Sequence, residues 1–231
     1  MVQDVTVVTL SELYSQVADE IVSRLSEAIH FRGEASLVLA GGNTFIEIYK
    51  LLANETYRRK ISWEKVLLYF GDDRCVTPDS PLSNYRSVFD VWLHVWESRG
   101  PRVIRIKTEL LPVVACKEYE THISTTMDVV LLGVGSDGHT ASLFSKTREL
   151  WSDSEKLVVV TQAEMEPLGE RISLTPLALS NSRRTLVVAT GASKKTILTK
   201  VLSDTMGEFA LSYCSALHGD TTVYLDQELA P

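Results

Sequence analysis

Cysteines and long apolar runs are scarce in this sequence. Its 231 residues include only three cysteines, Cys75, Cys116 and Cys214, which are widely spaced and odd in number. Such cysteines argue against a disulfide framework or a paired-cysteine metal site, and they favour a reducing compartment. No run approaches the roughly 18 apolar residues of a membrane span, and residues 1–10 lack the basic and apolar regions of a signal peptide. We therefore expect a cytoplasmic protein without a membrane partner.

Positive charge is scarce as well. Lysine and arginine together number 23 against 30 aspartates and glutamates, which leaves a net charge of −7. A nucleic-acid-binding domain normally carries a basic face, so we expect no nucleic-acid partner. An acidic chain can still bind an anion, but a few focused cations and backbone N–H groups must then hold it.

Strands and helices alternate along the chain, whose composition is that of an ordinary globular enzyme. The predicted strands are 37–40, 66–70, 103–106, 128–132, 157–160, 186–189 and 222–225, and the predicted helices are 11–29, 45–53, 85–96, 112–123 and 194–202. This alternation predicts a mostly parallel, doubly wound sheet with helices on both faces, a Rossmann-like α/β fold. Because no repeat or linker interrupts it, we expect residues 1–231 to form a single domain.

Ligands of such sheets bind beyond the carboxyl ends of the strands, and the first such turn is rich in glycine. Gly41 and Gly42 follow the first predicted strand, and Asn43 and Thr44 follow the glycines. Thr44 and Glu47 have capping-box spacing, which predicts a helix that begins at Thr44. Glycines before a helix start leave N–H groups free for a phosphate. Taken alone, a plain β–α turn explains these residues slightly better.

The turn after the second predicted strand is charged. It contains Asp72, Asp73 and Arg74 in succession. Two acids and an arginine at the carboxyl end of a strand are typical of a substrate site. A self-satisfied Asp–Arg surface pair explains them equally well when they are taken alone. Further along, Ser83 is predicted to cap the next helix, as Ser11 is predicted to cap the first.

A third turn, residues 133–140, contains GxGxxG directly after a strand. This pattern is the dinucleotide fingerprint, but the fingerprint requires the first strand of a βαβ unit and an acid that ends the next strand. Neither condition is met. The better interpretation is a glycine-rich loop that presents Asp137 and His139 to a pocket. A histidine held in this way at a strand's carboxyl end is predicted to be a catalytic base.

Two cations in the C-terminal half are the remaining candidates. Arg171 opens the stretch RISLT, and Lys194 follows Gly191 at a predicted helix start. A cation at a helix N-terminus is electrostatically unfavourable unless an anion lies there too, which makes Lys194 a candidate phosphate ligand. Taken alone, either residue is better explained as a solvated side chain, like the neighbouring Lys195.

Together these stretches resemble the 6-phosphogluconolactonase family, which shares a superfamily with glucosamine-6-phosphate deaminases and isomerases. The matching stretches, in family order, are LVLAGGNT, WEKVLLYFGDDRCVTPDSPLSNYRSV, MDVVLLGVGSDGHTASLF, RISLTPLAL and LVVATGASKKTIL. The third is the most diagnostic, because deaminases resemble it up to the histidine and then continue toward a catalytic glutamate. Phe45 and Ser145 stand where the family usually has proline, and Asp73 stands where it has glutamate.

The resemblance implies hydrolysis of 6-phospho-D-glucono-1,5-lactone in the oxidative pentose phosphate pathway, without a metal or an organic cofactor. It implies that His139 is the general base on water and that Asp137 or Asp72 assists it. Arg74 is expected to contact sugar oxygens or developing negative charge. The expected substrate-binding residues, which include the phosphate ligands, are Gly41, Gly42, Asn43, Thr44, Asp72, Gly138, Arg171 and Lys194.

Two other functions are compatible with parts of the pattern. A glucosamine-6-phosphate deaminase would share the fold and the phosphate site, but the first acid after His139 is Glu149, well past the loop. A non-enzymatic sugar-phosphate sensor on this fold would carry an added DNA-binding helix-turn-helix. The residues before Leu37 contain one predicted helix, which is too little for such a domain. We therefore expect the lactone-hydrolysing enzyme.

Overall fold

The computed structural model describes residues 4–123, 126–152, 155–164, 166–217 and 220–229. Its strands are Asp4–Val8 (β1), Ala35–Leu39 (β2), Val66–Phe70 (β3), Asp72–Arg74 (β4), Arg102–Ile104 (β5), Met127–Gly133 (β6), Val158–Gln162 (β7), Glu170–Leu174 (β8), Ser182–Ala189 (β9) and Asp220–Asp226 (β10). Its helices are Leu10–Arg32 (α1), Asn43–Ala53 (α2), Glu55–Arg58 (α3), Asn84–Val91 (α4), Pro112–Glu120 (α5), Pro176–Ser180 (α6), Lys195–Leu202 (α7) and Ala210–Leu217 (α8). Of the helices within these ranges, none has the length and apolar character needed to cross a membrane.

Seven strands form one sheet in which every neighbouring pair is parallel. Their order is β1-β10-β9-β6-β2-β3-β5. All five residues of β2, beside β6 in the interior of the sheet, are buried, as expected of a parallel strand that is covered on both faces. The predicted α/β fold class with a mostly parallel sheet is therefore confirmed.

The chain changes its direction of travel across the sheet between β2 and β6. From β2 it moves outward to β3 and β5, and it then crosses back to β6 and continues to β9 on the other side. Connections that leave two adjacent strands in opposite directions open a crevice beyond the carboxyl ends of those strands. The fold therefore places a binding crevice next to the loops that follow β2 and β6.

Two buried tyrosines hold the strand ends beside this crevice. The Tyr49 hydroxyl donates to the Ala40 carbonyl at 2.8 Å and accepts from the Ala40 N–H at 3.0 Å. Tyr119 makes the same pair of bonds to Phe70, each at 2.8 Å. Burial raises the pKa of both phenols well above the ordinary value, so both stay protonated and can donate. The backbone can thus leave the sheet without losing hydrogen bonds.

Helix α1 forms as its periodicity predicts, but its cap differs. Leu13, Val17, Ile21 and Leu25 are buried on one face. The cap is Thr9, whose side chain accepts from the Glu12 N–H while the Glu12 carboxylate accepts from the Thr9 N–H. The predicted Ser11 cap is wrong, because the extended backbone that a cap requires occurs at Thr9 and residue 11 already lies in the first turn.

Helix α2 also begins earlier than predicted. It starts at Asn43, with Gly42 at the cap position and no side-chain cap hydrogen bond. The predicted capping box between Thr44 and Glu47 is wrong. The Thr44 hydroxyl instead bonds the Thr190 hydroxyl at 2.7 Å, which joins the helix start to the turn after β9. Gly42 has φ +100°, in the left-handed region where a side chain would be strained.

A second, antiparallel sheet is absent from the sequence prediction. Its strand order is β4-β8-β7. The predicted strand 157–160 corresponds to β7 in this sheet and not to a strand of the parallel one, and residues 72–74, predicted as a turn, form its edge strand. The Leu174 N–H donates to the Gly71 carbonyl at 2.8 Å, which attaches the small sheet to the end of β3.

The other predicted elements are confirmed with shifted ends. Helix α4 has the predicted Ser83 cap but ends at Val91, where a 3-10 turn over Leu93–Val95 replaces its last predicted turn. Helix α5 begins at Pro112 as predicted and ends at Glu120. Strands β1 and β8 and the helices α3, α6 and α8 are missing from the prediction, because short elements carry little periodicity.

Candidate active site

A cavity of about 230 Å³ lies beyond the carboxyl ends of β2, β3, β6 and β9. The predicted site residues that line it are Gly41, Gly42, Asn43, Thr44, Asp72, Arg74, His139, Arg171 and Lys194. Asp137 and Gly138 do not line it. Gly138 has φ +89°, and a Cβ there would lie 2.6 Å from the Phe209 ring, so this residue shapes the loop from inside.

His139 and Asp137 form a hydrogen-bonded pair in the loop after β6. The ring Nδ1 of His139 contacts Oδ1 of Asp137, and the same oxygen accepts from the His139 backbone N–H at 3.2 Å. Burial opposes ionisation of Asp137, but the bonds from His139 outweigh it and hold the pKa of this carboxyl below its ordinary value. Since a carboxylate can only accept, Nδ1 carries the proton and Nε2 is the basic nitrogen.

The imidazole is confined on two sides. A Cβ at Gly135 would lie 2.3 Å from Cε1 and Nδ1 of His139 and 2.9 Å from Oδ1 of Asp137, so this side of the pair tolerates only glycine. The Gly135 N–H also donates to the His139 carbonyl at 2.8 Å. Elsewhere around the imidazole, the Phe144 ring packs with its centroid 4.7 Å from that of His139. The loop therefore leaves the imidazole little freedom to rotate.

Asp72 presents a buried carboxylate to the cavity. Its Oδ2 accepts from the Ser142 hydroxyl at 2.5 Å, and its Oδ1 accepts from the Asn84 amide at 3.2 Å. Ser142 is itself anchored, because its carbonyl accepts from the Thr161 hydroxyl of β7 at 2.7 Å. Neutral donors thus hold both oxygens of Asp72 and fix its orientation.

Asp73, the next residue on β4, is part of the protein interior. Its Oδ1 accepts from the N–H groups of Asn84 at 2.7 Å and Arg74 at 2.8 Å, and its Oδ2 accepts from the Ser83 hydroxyl at 2.9 Å. Burial raises the pKa of Asp73 against the effect of these bonds. Its carboxyl group secures the start of α4. The alternative of a self-satisfied Asp–Arg surface pair is wrong, since within the described ranges Arg74 forms no salt bridge with Asp72 or Asp73.

Three cations line the cavity without a salt bridge to any residue that the structure describes: Arg74, Arg171 and Lys194. Arg74 and Arg171 are register partners across β4 and β8, so their side chains emerge next to each other. Burial lowers the pKa of Arg171, and the charge of Arg74 lowers it further. Burial also lowers the pKa of Lys194. Partly buried cations side by side favour an anion between them.

The turn that carries Lys194 is fixed by groups from other elements. The Gly191 N–H donates to Oδ2 of Asp226 at 2.7 Å, and the Ala192 N–H donates to Glu228 at 3.1 Å. Gly191 has φ +92°, which this tight turn requires. Lys194 ends a 3-10 turn directly before α7, close to the helix start that its sequence position predicts.

Several residues of the site are missing from the sequence prediction. Asn84, Ser142, Phe144, Glu166 and Pro167 all line the cavity. Ser142 and Phe144 lie in the same stretch as His139, so their proximity was the only available signal. Asn84 follows a predicted helix cap, and nothing in its spacing distinguishes it from an ordinary first-turn residue. The connection between β7 and β8 brings Glu166 and Pro167 to the cavity, and that hairpin is not recognisable from the sequence.

Known proteins resemble this chain over most of its length. A profile of the family described as glucosamine-6-phosphate isomerases/6-phosphogluconolactonase matches residues 9–222. A 6-phosphogluconolactonase from Haemophilus influenzae is 32% identical over 230 residues, which cover 95% of this chain and 94% of that protein. One from Treponema pallidum is 34% identical over 177 residues, which cover 73% and 72%. The solved 6-phosphogluconolactonase of Trypanosoma brucei superposes with a TM-score of 0.86 at 28% identity, covering 98% of this chain and 97% of that one.

Proposed function

Because the chain belongs to the glucosamine-6-phosphate isomerase/6-phosphogluconolactonase family, we propose that it is an enzyme that hydrolyses 6-phospho-D-glucono-1,5-lactone to 6-phospho-D-gluconate, a step of the oxidative pentose phosphate pathway. Relatives that carry the name of this activity match most of the chain. The observation that supports the proposal is that His139, which is hydrogen-bonded to Asp137, lines one cavity together with three cations that have no carboxylate partner among the described residues. A base for water and a site for a phosphate are what this substrate requires.

The first step is attack of water on the lactone carbonyl. Nε2 of His139 accepts a proton from the water as its oxygen bonds to C1. The carbonyl electrons move onto the carbonyl oxygen and form an oxyanion. The Asp137 carboxylate keeps the proton on Nδ1, which leaves Nε2 as the base, and it stabilises the positive charge of the imidazolium that forms. Asp137 thus assists from behind the base and does not touch the substrate.

The second step opens the ring. The oxyanion re-forms the carbonyl, the bond between C1 and the ring oxygen breaks, and the leaving oxygen takes the proton from Nε2 of His139. Water has then been added across the ester, and the histidine is neutral again. The guanidinium of Arg74 stabilises the oxyanion or contacts sugar oxygens, and the fixed carboxylate of Asp72 accepts from a sugar hydroxyl or from the attacking water.

The phosphate is bound by a second group of residues that line the cavity. Its ligands are Arg171, Lys194 and the turn of Gly41, Gly42, Asn43 and Thr44 at the start of α2. The unpaired N–H groups of a helix start and its positive dipole end suit a dianion. Gly138 supports the loop and has no substrate contact in this proposal.

The remaining expectations about the protein form part of the same proposal. Residues 1–231 act as one catalytic domain in the cytoplasm, with a small sugar-phosphate lactone as partner and no nucleic acid. The net charge of −7 supports the exclusion of nucleic acid. The free thiols of Cys75, Cys116 and Cys214 support a reducing compartment.

Activity on two substrates tests the assignment. The purified protein should hydrolyse 6-phosphogluconolactone faster than the spontaneous rate, measured as proton release with a His139→Ala sample as background. It should release no ammonia from glucosamine 6-phosphate. Enzyme-dependent ammonia release without lactone hydrolysis would assign the chain to the deaminases. Binding of either compound without turnover would make it a sensor.

A further inference from the structure

Asp72 and Arg74 lie close together but do not form an ion pair. They are two residues apart on β4, so their side chains leave the strand on the same face. Both line the cavity, and an arginine is long enough to reach a carboxylate at that spacing. Nevertheless, no salt bridge joins them in the described part of the chain.

The side-chain amide of Asn84 lies between these two charged groups. Its Nδ2 donates to the backbone carbonyl of Asp72 at 2.9 Å and to Oδ1 of Asp72 at 3.2 Å. Its Oδ1 accepts from a terminal guanidinium nitrogen of Arg74 at 2.8 Å. The amide is therefore oriented by charge at both ends, with its donor toward the carboxylate and its acceptor toward the cation.

Asn84 is held in this place from two directions. Its backbone N–H donates to Asp73 at 2.7 Å, at the start of α4, and the residue is only 4% exposed. On the other side, a Cβ at Gly41 would lie 2.3 Å from Oδ1 of Asn84. The absence of a side chain at Gly41 thus makes room for the amide. Asn84 therefore contacts both the glycine turn and β4.

We propose that Asn84 is a positioning residue that separates Asp72 from Arg74, so that the arginine keeps its charge for the substrate and the carboxylate keeps its orientation. This inference rests on the proposed function, which assigns Arg74 to the substrate. A direct ion pair would neutralise both groups inside the cavity. The neutral amide bonds one oxygen of Asp72 and one nitrogen of Arg74 and leaves the two charges in place. Two other neutral groups assist it, because the Ser142 hydroxyl donates to the second oxygen of Asp72 and the Leu82 carbonyl accepts from the same Arg74 nitrogen at 2.7 Å.

The inference predicts a dependence between two substitutions. Asn84→Ala removes the spacer, so Arg74 turns toward Asp72, and the affinity for 6-phosphogluconate falls about 10-fold or more. In an Asp72→Asn background the carboxylate that captures Arg74 is absent, and Asn84→Ala should then weaken binding less than threefold. Equal losses in both backgrounds would overturn the inference and leave Asn84 with a purely structural role.

Two further variants separate the possible explanations. Asn84→Asp nearly preserves the shape of the side chain and keeps the backbone bond to Asp73, but it loses both bonds that Nδ2 donates to Asp72. Its own carboxylate captures Arg74, so the loss of affinity should persist in the Asp72→Asn background. Wild-type affinity in Asn84→Asp would also overturn the inference. Arg74→Ala tests the proposed function separately. If this variant binds 6-phosphogluconate as well as wild type does, Arg74 has no role in substrate binding, and the proposed function is wrong on this point whatever the Asn84 variants show.

A matched control accounts for stability. Asn54 caps α3 through a side-chain bond to the Tyr57 N–H at 3.1 Å and does not line the cavity. Asn54→Ala should lower the unfolding temperature without changing the affinity for 6-phosphogluconate. The experiment is titration calorimetry of the full-length variants with 6-phosphogluconate, with thermal unfolding of each. A crystal structure of Asn84→Ala should show the Arg74 guanidinium within salt-bridge distance of Asp72, and an unmoved guanidinium contradicts the inference.

Discussion

The Asp137 carboxylate accepts two hydrogen bonds from His139, one from the ring Nδ1 and one from the backbone N–H. Both bonds end on the same oxygen, and only one residue separates the two partners. The orientation of the ring therefore depends on the local turn and very little on distant packing. This relationship makes the pair accessible to substitutions that leave the fold intact.

Removal of the general base His139 should abolish most of the catalytic activity and should reduce the stability of the fold only slightly. His139→Ala should lower kcat by roughly 10²- to 10⁴-fold, the usual contribution of a positioned general base. The unfolding temperature should fall only slightly, because His139 lies in a loop at the cavity wall and the main interaction lost is the side-chain bond to Asp137. Initial rates after subtraction of spontaneous lactone hydrolysis measure the effect. Wild-type kcat at pH 7 in this variant would remove His139 from the mechanism.

Asp137→Asn should have a pH-dependent effect on stability. The pKa of Asp137 is held below its ordinary value of 3.8 in the folded protein, so its ionisation stabilises the fold above that pH, and the contribution is lost as pH falls through the folded pKa. The difference in unfolding free energy between wild type and variant should thus be larger at pH 6 than at pH 3. Urea unfolding at both pH values measures it, and a constant difference contradicts the assignment.

Gly135→Ala should inactivate the enzyme through sterics. The added Cβ would lie 2.3 Å from the His139 ring, so the imidazole must turn away from Asp137, and kcat should fall at least 10-fold. Gly33→Ala is the matched control, because Gly33 ends α1 at φ +84° with nothing within 4 Å of a Cβ. That control should lose about 1 kcal/mol of stability and keep its kcat. Equal kcat values in both variants would show that the contact is unimportant.

Lys194→Ala should reveal the phosphate site through substrate specificity. Loss of a hydrogen bond to a charged group should lower kcat/KM for the phosphorylated lactone by roughly 10- to 150-fold. Lys195→Ala is the control, since Lys195 does not line the cavity. Against glucono-δ-lactone, which has no phosphate, the wild type should be poor and Lys194→Ala little worse. Equal losses on both substrates would mean that Lys194 supports the fold or the chemistry.

The sequence predicts the parallel sheet well because each buried strand is a continuous apolar run, as in residues 128–132, followed by a turn signal. It also predicts that the polar loops after the strands lie close together, because parallel strands direct their carboxyl ends to one edge of the sheet. Lys194 is found in this way although it is 150 residues from Thr44 in the chain.

Pairings between distant residues are not available from the sequence. Thr44 has perfect spacing for a local cap, yet its hydroxyl bonds Thr190, a partner that exists only after folding. The antiparallel sheet escapes prediction partly for the same reason, because β4 pairs with β8, which is distant in the chain. In addition, the three residues of β4 are too few to show strand periodicity. Asn84 likewise gains its importance from the charges that tertiary structure places on either side of it.

The adjacent positions of Arg74 and Arg171 have a consequence for how this protein responds to its buffer. Two like charges held side by side by strand register weaken the folded state, and any tetrahedral oxyanion that fits between them relieves that repulsion and favours the folded form by mass action. A ligand at one hundred times its dissociation constant contributes about 2.7 kcal/mol in this way. Inorganic phosphate or sulfate should therefore raise the unfolding temperature more than chloride at equal ionic strength, and Arg171→Leu should remove that difference.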